Sequence, residues 1–223
     1  MKFDSTAELV WVTPNAEELI TKMARVSNPA NEDNMETAPR LLRYLIKHKH
    51  WSPFELGNLC VKIYTQRDIS AQILRHRSFT FQEYSSRYSR MTPAEIPELR
   101  RQDLKNRQNS IDDLNEFLVN ELEDKIAVQI GSTFNLYQEL LDRGVAKECA
   151  RRILPLCTPT VLYMNGTIRS WIHYIELRSA NGTQKEHQEI ALKIKDIFIK
   201  QLPIISEALW SDSDRFALSS LTN

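Results

Sequence analysis

A stripe of apolar residues at helical spacing limits the possible folds of this chain more than any other feature. Its members recur every three or four positions: Leu114, Phe117, Leu118, Leu122, Ile126, Ile130, Phe134, Tyr137 and Leu141. This period predicts one long amphipathic helix, opened by the pattern Ser110-x-x-Asp113 and ended by Gly144. An apolar face of that length needs a cover, so it lies either in the core or at a contact between subunits.

Shorter patterns predict the elements that surround this helix. Apolar runs predict strands at 9–12 and 59–64 and an extended segment over 155–164. Helical spacing predicts helices after Thr13-Pro14, around 41–46, over 68–75 and over 146–154. It also predicts a helix capped by Thr167, and another that is opened by Thr183-x-x-Glu186 and ends before Pro203. Ser52-Pro53-Phe54-Glu55 has the form of a capping box. With 223 residues and no linker composition, the chain is expected to form a single domain over residues 1–223.

Composition excludes several classes of protein. Lys+Arg and Asp+Glu both number 29, so the chain lacks the excess positive charge of most proteins that bind nucleic-acid polymers. No run of about 18 apolar residues is present to span a membrane, and the amino terminus does not resemble a signal peptide. Three cysteines without Cys-x-x-Cys spacing argue against a disulfide framework or a metal site. We therefore expect a cytoplasmic protein with reduced, mostly buried thiols, a short polar tail and no membrane partner.

The segment 75–90 is unusual in both order and content. It reads Arg-His-Arg-Ser-Phe-Thr-Phe-Gln-Glu-Tyr-Ser-Ser-Arg-Tyr-Ser-Arg, with four arginines and four aromatic rings in sixteen positions. Neither a helical nor a strand period continues past Phe81, so an irregular polar segment is expected. Guanidinium groups match phosphates and carboxylates bidentately, and aromatic rings suit a flat ligand. The segment therefore indicates a site for a flat, anionic ligand.

The order of residues in this segment resembles the motif of the flavin-dependent thymidylate synthases. Arg75-His76-Arg77 is followed after seven residues by Ser85, and then by Arg87-Tyr88. His50 to Glu55 lies about twenty residues earlier, as in that family. Further matches are Ala150-Arg151 before Ile153-Leu154-Pro155, and Arg169-Ser170 leading to Arg178. The resemblance covers the chain from His50 to about Ile194.

The resemblance implies a fold and an activity. The fold class is α/β, a single domain with a mostly antiparallel sheet and long helices, assembled as a homotetramer with active sites at subunit interfaces. The activity is the reductive methylation of dUMP to dTMP. Methylenetetrahydrofolate supplies the one-carbon unit, reduced FAD supplies the hydride, and NADPH reduces the flavin.

The resemblance also implies roles for individual residues. The catalytic residue is Arg178, which activates the pyrimidine. Residues at flavin-contacting positions are Ser52, Arg75, His76, Arg77, Glu83, Thr167, Ile168, Arg169 and His173. Residues at nucleotide-contacting positions are Gln72, Ile73, Leu74, Arg75, Glu83, Tyr84, Ser85, Ser86, Arg87, Arg151 and Arg178. No metal is expected, and no protein nucleophile is required.

Two other functions remain open from the sequence. A flavin-independent thymidylate synthase makes the same product and needs a cysteine nucleophile in electropositive surroundings. Cys157 has no basic residue within four positions and is expected to be a buried thiol. An RNA-binding module would use the arginines and rings of residues 77–90 for phosphate contact and base stacking.

Overall fold

The computed structural model describes residues 3–210 and contains a four-stranded antiparallel sheet. Its strands are β1 (Thr6–Val12), β2 (Asn58–Gln66), β3 (Phe79–Glu83) and β6 (Pro159–Thr167), in the order β1-β2-β6-β3. Two short strands, β4 (Arg101–Gln102) and β5 (Ser110–Ile111), pair separately. We call residues 93–115, which carry this second sheet, the arm.

Eight α-helices complete the described part of the chain. The five shorter ones are α1 (Ala16–Ala24), α2 (Ala38–Lys47), α3 (Arg67–Ile73), α5 (Lys147–Ala150) and α8 (Pro203–Leu209). The three longer ones are α4 (Glu116–Asp142), α6 (Ile168–Arg178) and α7 (Lys185–Gln201). This is the predicted α/β class, with an antiparallel sheet and long helices.

The main core lies where the central strands meet α6 and α7. Leu59, Val61 and Ile63 of β2 are fully buried, as the alternation over 59–64 predicts. Trp171 of α6 is also fully buried, and its indole nitrogen donates to the carbonyl of Leu59 at 2.8 Å. Because a buried Trp N–H must find an acceptor, this bond fixes α6 against the sheet.

Gly166 allows the edge strand β3 to pack closely on β6. Phe79 pairs with Gly166, and a Cβ atom placed there would lie 2.4 Å from the Phe79 ring. The same ring packs edge-on against Trp171, with 4.7 Å between ring centroids. Glycine at 166 therefore lets Phe79 join the aromatic cluster at the base of the candidate site.

Helix α4 buries only part of its apolar stripe against residues 3–210. Tyr137 is its one buried residue, and its hydroxyl accepts from the main-chain nitrogen of Met91 at 3.1 Å. Phe134 and Leu141 pack beside Tyr137 in a small core cluster, whereas Phe117 is 79% exposed. The carboxyl-terminal part of the stripe thus belongs to a core, and its amino-terminal end is exposed.

Local capping patterns predicted several helix starts incorrectly. Helix α4 begins at Glu116, where the Asn115 side chain accepts from two main-chain nitrogens, and not at Ser110-x-x-Asp113. The start of α7 at Lys185 has no side-chain cap, so the prediction for Thr183 is also wrong. Residues 52–55 form one 3₁₀ turn without a capping bond. Thr167, by contrast, caps α6 as predicted, accepting from Ser170 N.

The described residues agree only partly with the remaining expectations. Cys60 is buried, Cys157 is half-buried and Cys149 is exposed, so the expectation of mostly buried thiols is wrong for Cys149. All three thiols are free. None of the helices within residues 3–210 is both long and apolar enough to cross a bilayer. The predicted polar tail lies outside the described residues.

Candidate active site

The candidate site surrounds β3, whose position at the sheet edge corrects one expectation. Residues 79–83 form an edge strand paired with β6, whereas we expected an irregular segment throughout 75–90. Only Phe79 and Phe81 carry the strand period, and the outward Thr80 and Gln82 are exposed. The residues on either side, 74–78 and 84–90, are irregular as expected.

Two arginines stand free in the loop between α3 and β3. Arg75 and Arg77 are exposed, and neither side chain forms a hydrogen bond or ion pair with any residue of the described range 3–210. An arginine is always charged and carries five donors. This loop therefore presents positive charge that the described fold does not use.

Arg178, at the end of α6, contacts the same loop. Its Nε–H donates to Nε2 of His76 at 2.9 Å. Neither of its terminal nitrogens has a partner within the described residues, so both remain available to a ligand. Burial, together with Arg178, His173 and Arg75, lowers the pKa of His76 to about 4. His76 is thus neutral at pH 7 and accepts from Arg178.

A buried network lies behind this contact. Tyr174 on α6 and His187 on α7 are both fully buried, and the Tyr174 hydroxyl lies 3.1 Å from Nε2 of His187. Nδ1 of His187 lies 3.3 Å from Oε1 of Gln72. Burial, together with Arg178 and His76, lowers the pKa of His187 to about 3. Burial likewise raises the pKa of the Tyr174 hydroxyl, so both groups are neutral.

A second group of arginines meets at Ser86. Its hydroxyl, 1% exposed, accepts from Arg151 at 2.8 Å and from Arg67 at 3.3 Å. Neither arginine forms an ion pair with a residue of the described range. Two guanidinium groups that share one neutral hydroxyl leave a net positive charge at this point, which suits a phosphate.

Glu83 is the last residue of β3, and the turn that follows it contains Ser86. One carboxylate oxygen of Glu83 accepts from Ser70 at 2.8 Å and from Thr160 at 3.0 Å. The Tyr84 hydroxyl donates to the Arg90 carbonyl at 2.9 Å, and the carbonyl of Ser85 accepts from Tyr88 N at 3.1 Å. Arg87 forms an exposed ion pair with Glu148 at 3.1 Å.

A cavity of about 610 Å³ opens beside α6 and the loop before β3. Its walls come from the 3₁₀ turn, the loop before β3 and α6: Lys49, Trp51, Glu55, Ser78, Arg169, Ser170, Ile172, His173 and Glu176. Arg169 and His173 share one face of α6, as their spacing predicts. Arg169 forms a short ion pair with Glu55 that crosses the cavity wall.

Metal and thiol chemistry find no support in this region. Within residues 3–210 no three His, Cys, Asp or Glu side chains are grouped as a metal would require. The pKa of the Cys157 thiol is raised by burial and by the nearby Asp68 carboxylate. A raised pKa disfavours the thiolate, which is the nucleophilic form.

Comparison with known proteins decides which family this arrangement belongs to. Residues 8–204 match the family model described as thymidylate synthase complementing protein. The chain belongs to that family. A probable flavin-dependent thymidylate synthase of Paramecium bursaria Chlorella virus 1 is 53% identical over 216 residues, covering 92% of this chain and 98% of the relative. The flavin-dependent thymidylate synthase of Synechocystis sp. is 50% identical, covering 86% and 89%.

A solved structure of similar fold comes from Streptomyces cacaoi. The UMP/dUMP methylase PolB, bound with 5-Br dUMP, superposes with a TM-score of 0.82 at 27% identity. The alignment covers 93% of this chain and 95% of PolB. The family resemblance expected from the motif in 75–90 is thus confirmed.

The structure groups several of the residues predicted from the family resemblance. Arg178 bonds to His76, and Gln72 reaches the same region through His187. Ser86 and Arg151 form a second group. Ile73 and Ile168 are fully buried in the core, and the Thr167 side chain caps α6.

Sequence reasoning missed two residues that the fold places beside the site. Arg67 shares Ser86 with Arg151, and His187 contacts Gln72 across 115 residues of sequence. Arg67 is the first residue of α3 and precedes the motif by eight positions. For His187 the available signal was a single histidine on the apolar face of α7, which is more often a core residue. Neither position stands out without the fold.

Proposed function

We propose that this protein is a flavin-dependent thymidylate synthase that converts dUMP to dTMP. The single observation that carries the proposal is Arg178: its terminal nitrogens have no partner within residues 3–210, while Nε donates to a neutral histidine. Methylenetetrahydrofolate is the carbon donor and NADPH the reductant. Two relatives that are 50–53% identical are named for this activity.

Residues near Ser86 are proposed to bind the phosphate of dUMP. Arg151 and Arg67 form no ion pair in the described part of the chain and converge on one hydroxyl. Arg87 lies on the neighbouring turn, where it is paired with Glu148. Tyr84 and Ser85 directly follow Glu83, and the three are proposed to complete the nucleotide site. PolB, whose fold is similar, binds 5-Br dUMP.

The residues present fit a flavin. Arg75 and Arg77 are exposed and unpaired within residues 3–210, as a pyrophosphate requires, and the adjoining cavity is lined by Trp51 and His173. Ser52 and Arg169 lie on the elements that form the wall of the same cavity. When bound and reduced, FAD supplies the hydride that completes the methyl group.

Arg178 is proposed to activate the pyrimidine. Its free nitrogens can donate together to the N3–C2=O2 edge of uracil, because a guanidinium offers two parallel donors. As carbon 5 becomes nucleophilic, negative charge spreads over that edge and the guanidinium stabilises it. His76 holds the guanidinium in place by accepting from Nε, so orientation precedes substrate binding.

Exposed apolar side chains on α4 support the proposal of a homotetramer. Large apolar side chains along this helix, such as Phe117 and Val128, are exposed in a single chain. Exposed apolar patches of that extent mark interaction surfaces. We propose that residues 1–223 form one domain, that four copies associate with α4 at a contact, and that the enzyme acts in the cytoplasm on free nucleotides, without a nucleic-acid or membrane partner.

One assay tests this function. Protein loaded with FAD is incubated with dUMP, methylenetetrahydrofolate and NADPH, and the products are separated. We expect dTMP and tetrahydrofolate, no dTMP without FAD, and full activity in the control variant Cys157→Ala. Dihydrofolate as the product, with activity lost in Cys157→Ala, would show a flavin-independent enzyme. Colourless protein that cannot be loaded with FAD would contradict the proposal.

A further inference from the structure

His187 has no place in the chemistry described so far, although it lies directly behind the site. It is fully buried on α7 and contacts one group on each side: the Tyr174 hydroxyl at 3.1 Å and Oε1 of Gln72 at 3.3 Å. Its ring also meets the ring of His76 edge-on, with 6.2 Å between centroids. A buried histidine with two polar partners costs desolvation, so a reason for keeping it is required.

The hydrogen bonds of Gln72 set the tautomer of His187. Nε2 of Gln72 donates to Oε1 of Gln184 at 2.6 Å, so the oxygen of the same amide faces His187. An amide oxygen only accepts, and therefore Nδ1 of His187 must carry the proton. A neutral imidazole has one N–H, which leaves Nε2 to accept from the Tyr174 hydroxyl. Each hydrogen bond from Gln184 through Gln72 and His187 to Tyr174 then has a fixed donor and a fixed acceptor.

This tautomer of His187 fixes the orientation of the Gln72 side-chain amide. Rotating the amide by 180° would place its NH₂ group against the N–H of His187, where two donors would face each other. The NH₂ group is therefore held outward, toward the exposed side chain of Gln184. In this structure the side-chain amide oxygen of Gln184 accepts the hydrogen bond from that NH₂ group.

We propose that His187 is a positioning residue that orients the Gln72 amide, so that its NH₂ group donates to an acceptor oxygen of the pyrimidine nucleotide. The inference rests on the proposed function, because Gln72 belongs to the proposed nucleotide site. Oε1 of Gln184 marks the place that the nucleotide oxygen takes, and Gln184 moves aside when dUMP binds. Tyr174 donates to Nε2 of His187 and thereby stabilises the tautomer that carries its proton on Nδ1.

Two substitutions at one position separate this role from packing. The amide nitrogen of Asn coincides with Nδ1 of histidine, so His187→Asn keeps a donor for Gln72. The amide of Gln reaches the position of Nε2, so His187→Gln keeps the partner of Tyr174 but removes the donor to Gln72. Both substitutions introduce a neutral amide and differ by one methylene group, which makes them the most closely matched pair available at this position.

The experiment measures dUMP affinity by calorimetry with FAD-loaded protein. We expect His187→Asn to bind dUMP within about 2-fold of the parent, and His187→Gln to bind about 3- to 10-fold more weakly, as for the loss of one hydrogen bond. Gln72→Ala should weaken binding by a similar factor. The double variant His187→Gln/Gln72→Ala should bind no more weakly than Gln72→Ala alone, because both changes remove the same interaction.

Other results overturn the inference. If His187→Asn and His187→Gln weaken binding equally, or if the double variant shows the product of the two single effects, His187 does not act through Gln72. A parent protein that binds no dUMP and forms no dTMP overturns the proposed function and this inference together. If the parent binds dUMP and forms dTMP but the variants deviate as described, this inference alone is overturned.

Gln184→Ala gives a test that does not depend on a core substitution. The side chain is exposed, so the variant is expected to fold as the parent does. Removing the internal acceptor should leave dUMP affinity equal or raise it by up to about 10-fold. Weaker binding in Gln184→Ala would show that Gln184 is itself a ligand contact, which contradicts the inference.

Discussion

Two groups of arginines in this chain differ in what they contact. Four of the site arginines, Arg75, Arg77, Arg151 and Arg178, form no ion pair with any residue in the range 3–210, whereas Arg87 and Arg169 are paired with Glu148 and Glu55. Two arginines of the arm, Arg100 and Arg101, are held by carboxylates, whereas the side chain of Arg107 forms no ion pair within the described residues. Arg100 reaches Glu98 and Glu186 at 2.6 Å each, and Arg101 holds both oxygens of Asp113 at 2.6–2.7 Å.

This difference separates charge used by the fold from charge kept for a ligand. Arg100, with 9% of its side chain exposed, ties the arm to α7 through Glu186. Within residues 3–210, the side chains of Arg178 and Arg151 contact only the neutral groups of His76 and Ser86. Composition cannot reveal this, since the net charge of the whole chain is zero. Substitutions in the two groups should therefore affect different properties.

The largest expected effect is that of Arg178→Ala. Removing a charge-assisted contact to the pyrimidine should weaken dUMP binding by about 10- to 150-fold, which corresponds to roughly 1.5–3 kcal/mol, and reduce methylation with it. The flavin should stay bound, because Arg178 is proposed to contact the nucleotide. Calorimetry with dUMP and the flavin absorbance of the same sample measure both. Affinity and turnover within about twofold of the parent would show that this role of Arg178 is wrong.

Ser85→Ala tests whether the site contains a protein nucleophile. A serine needs a base within reach, and Nε2 of His76 is already engaged by Arg178. We therefore expect Ser85 to hold and polarise dUMP, so that the variant loses about 10- to 100-fold in activity but keeps measurable turnover. A covalent nucleotide adduct mapped to Ser85 by mass spectrometry, with complete inactivity of the variant, would falsify this expectation.

Arg100→Ala should affect stability instead of ligand binding. The change leaves the carboxylates of Glu98 and Glu186 without this partner in a site where both are mostly buried, at a cost of about 1–3 kcal/mol in free energy of unfolding. Urea denaturation measures the cost, and Arg101→Ala is the control. Its exposed ion pair should contribute less than about 1 kcal/mol. Equal effects of the two substitutions would remove the distinction between buried and exposed arm arginines.

A pH dependence is expected from the neutral histidines beside the site arginines. The pKa of His187 falls to about 3 in the folded state, below its ordinary value, so the unfolded chain binds more protons as pH falls. The free energy of unfolding should therefore decrease below about pH 6.5, with His187 contributing on the order of 1–2 kcal/mol by pH 5. His76 acts in the same direction. Denaturation at pH 7 and pH 5 should show a smaller loss in His187→Asn than in the parent, and an equal loss would contradict this assignment.

Much of the fold could be predicted from apolar periodicity. The buried alternation of β2 and the inward face of α6 follow directly from side-chain spacing, because each element covers one side of the core. The strand β3 was missed since only two of its residues carry the period. Capping patterns failed where distant partners took the side chains. Asp113 pairs with Arg101, and Glu55 pairs with Arg169, which is 114 residues away.

The candidate site was predictable only through its motif. Arg75 to Arg87 could be found because their order resembles a known family, which also pointed to Arg151 and Arg178. Arg67 and His187 could not be found, because their importance comes from contacts with Ser86 and Gln72 that only the fold creates. Ile73 and Ile168 were predicted as ligand-contacting positions from the family motif alone, which does not show that their side chains face the core.

The most direct test compares one arginine from each group. FAD is titrated into the parent, Arg77→Ala and Arg101→Ala, and flavin fluorescence reports binding. We predict that Arg77→Ala binds FAD at least about 10-fold more weakly, through loss of a charge-assisted contact, with unchanged free energy of unfolding. Arg101→Ala should bind FAD as the parent does. If both variants bind FAD as tightly as the parent, or if both lose affinity equally, the claim that the unpaired arginines form the flavin site is contradicted.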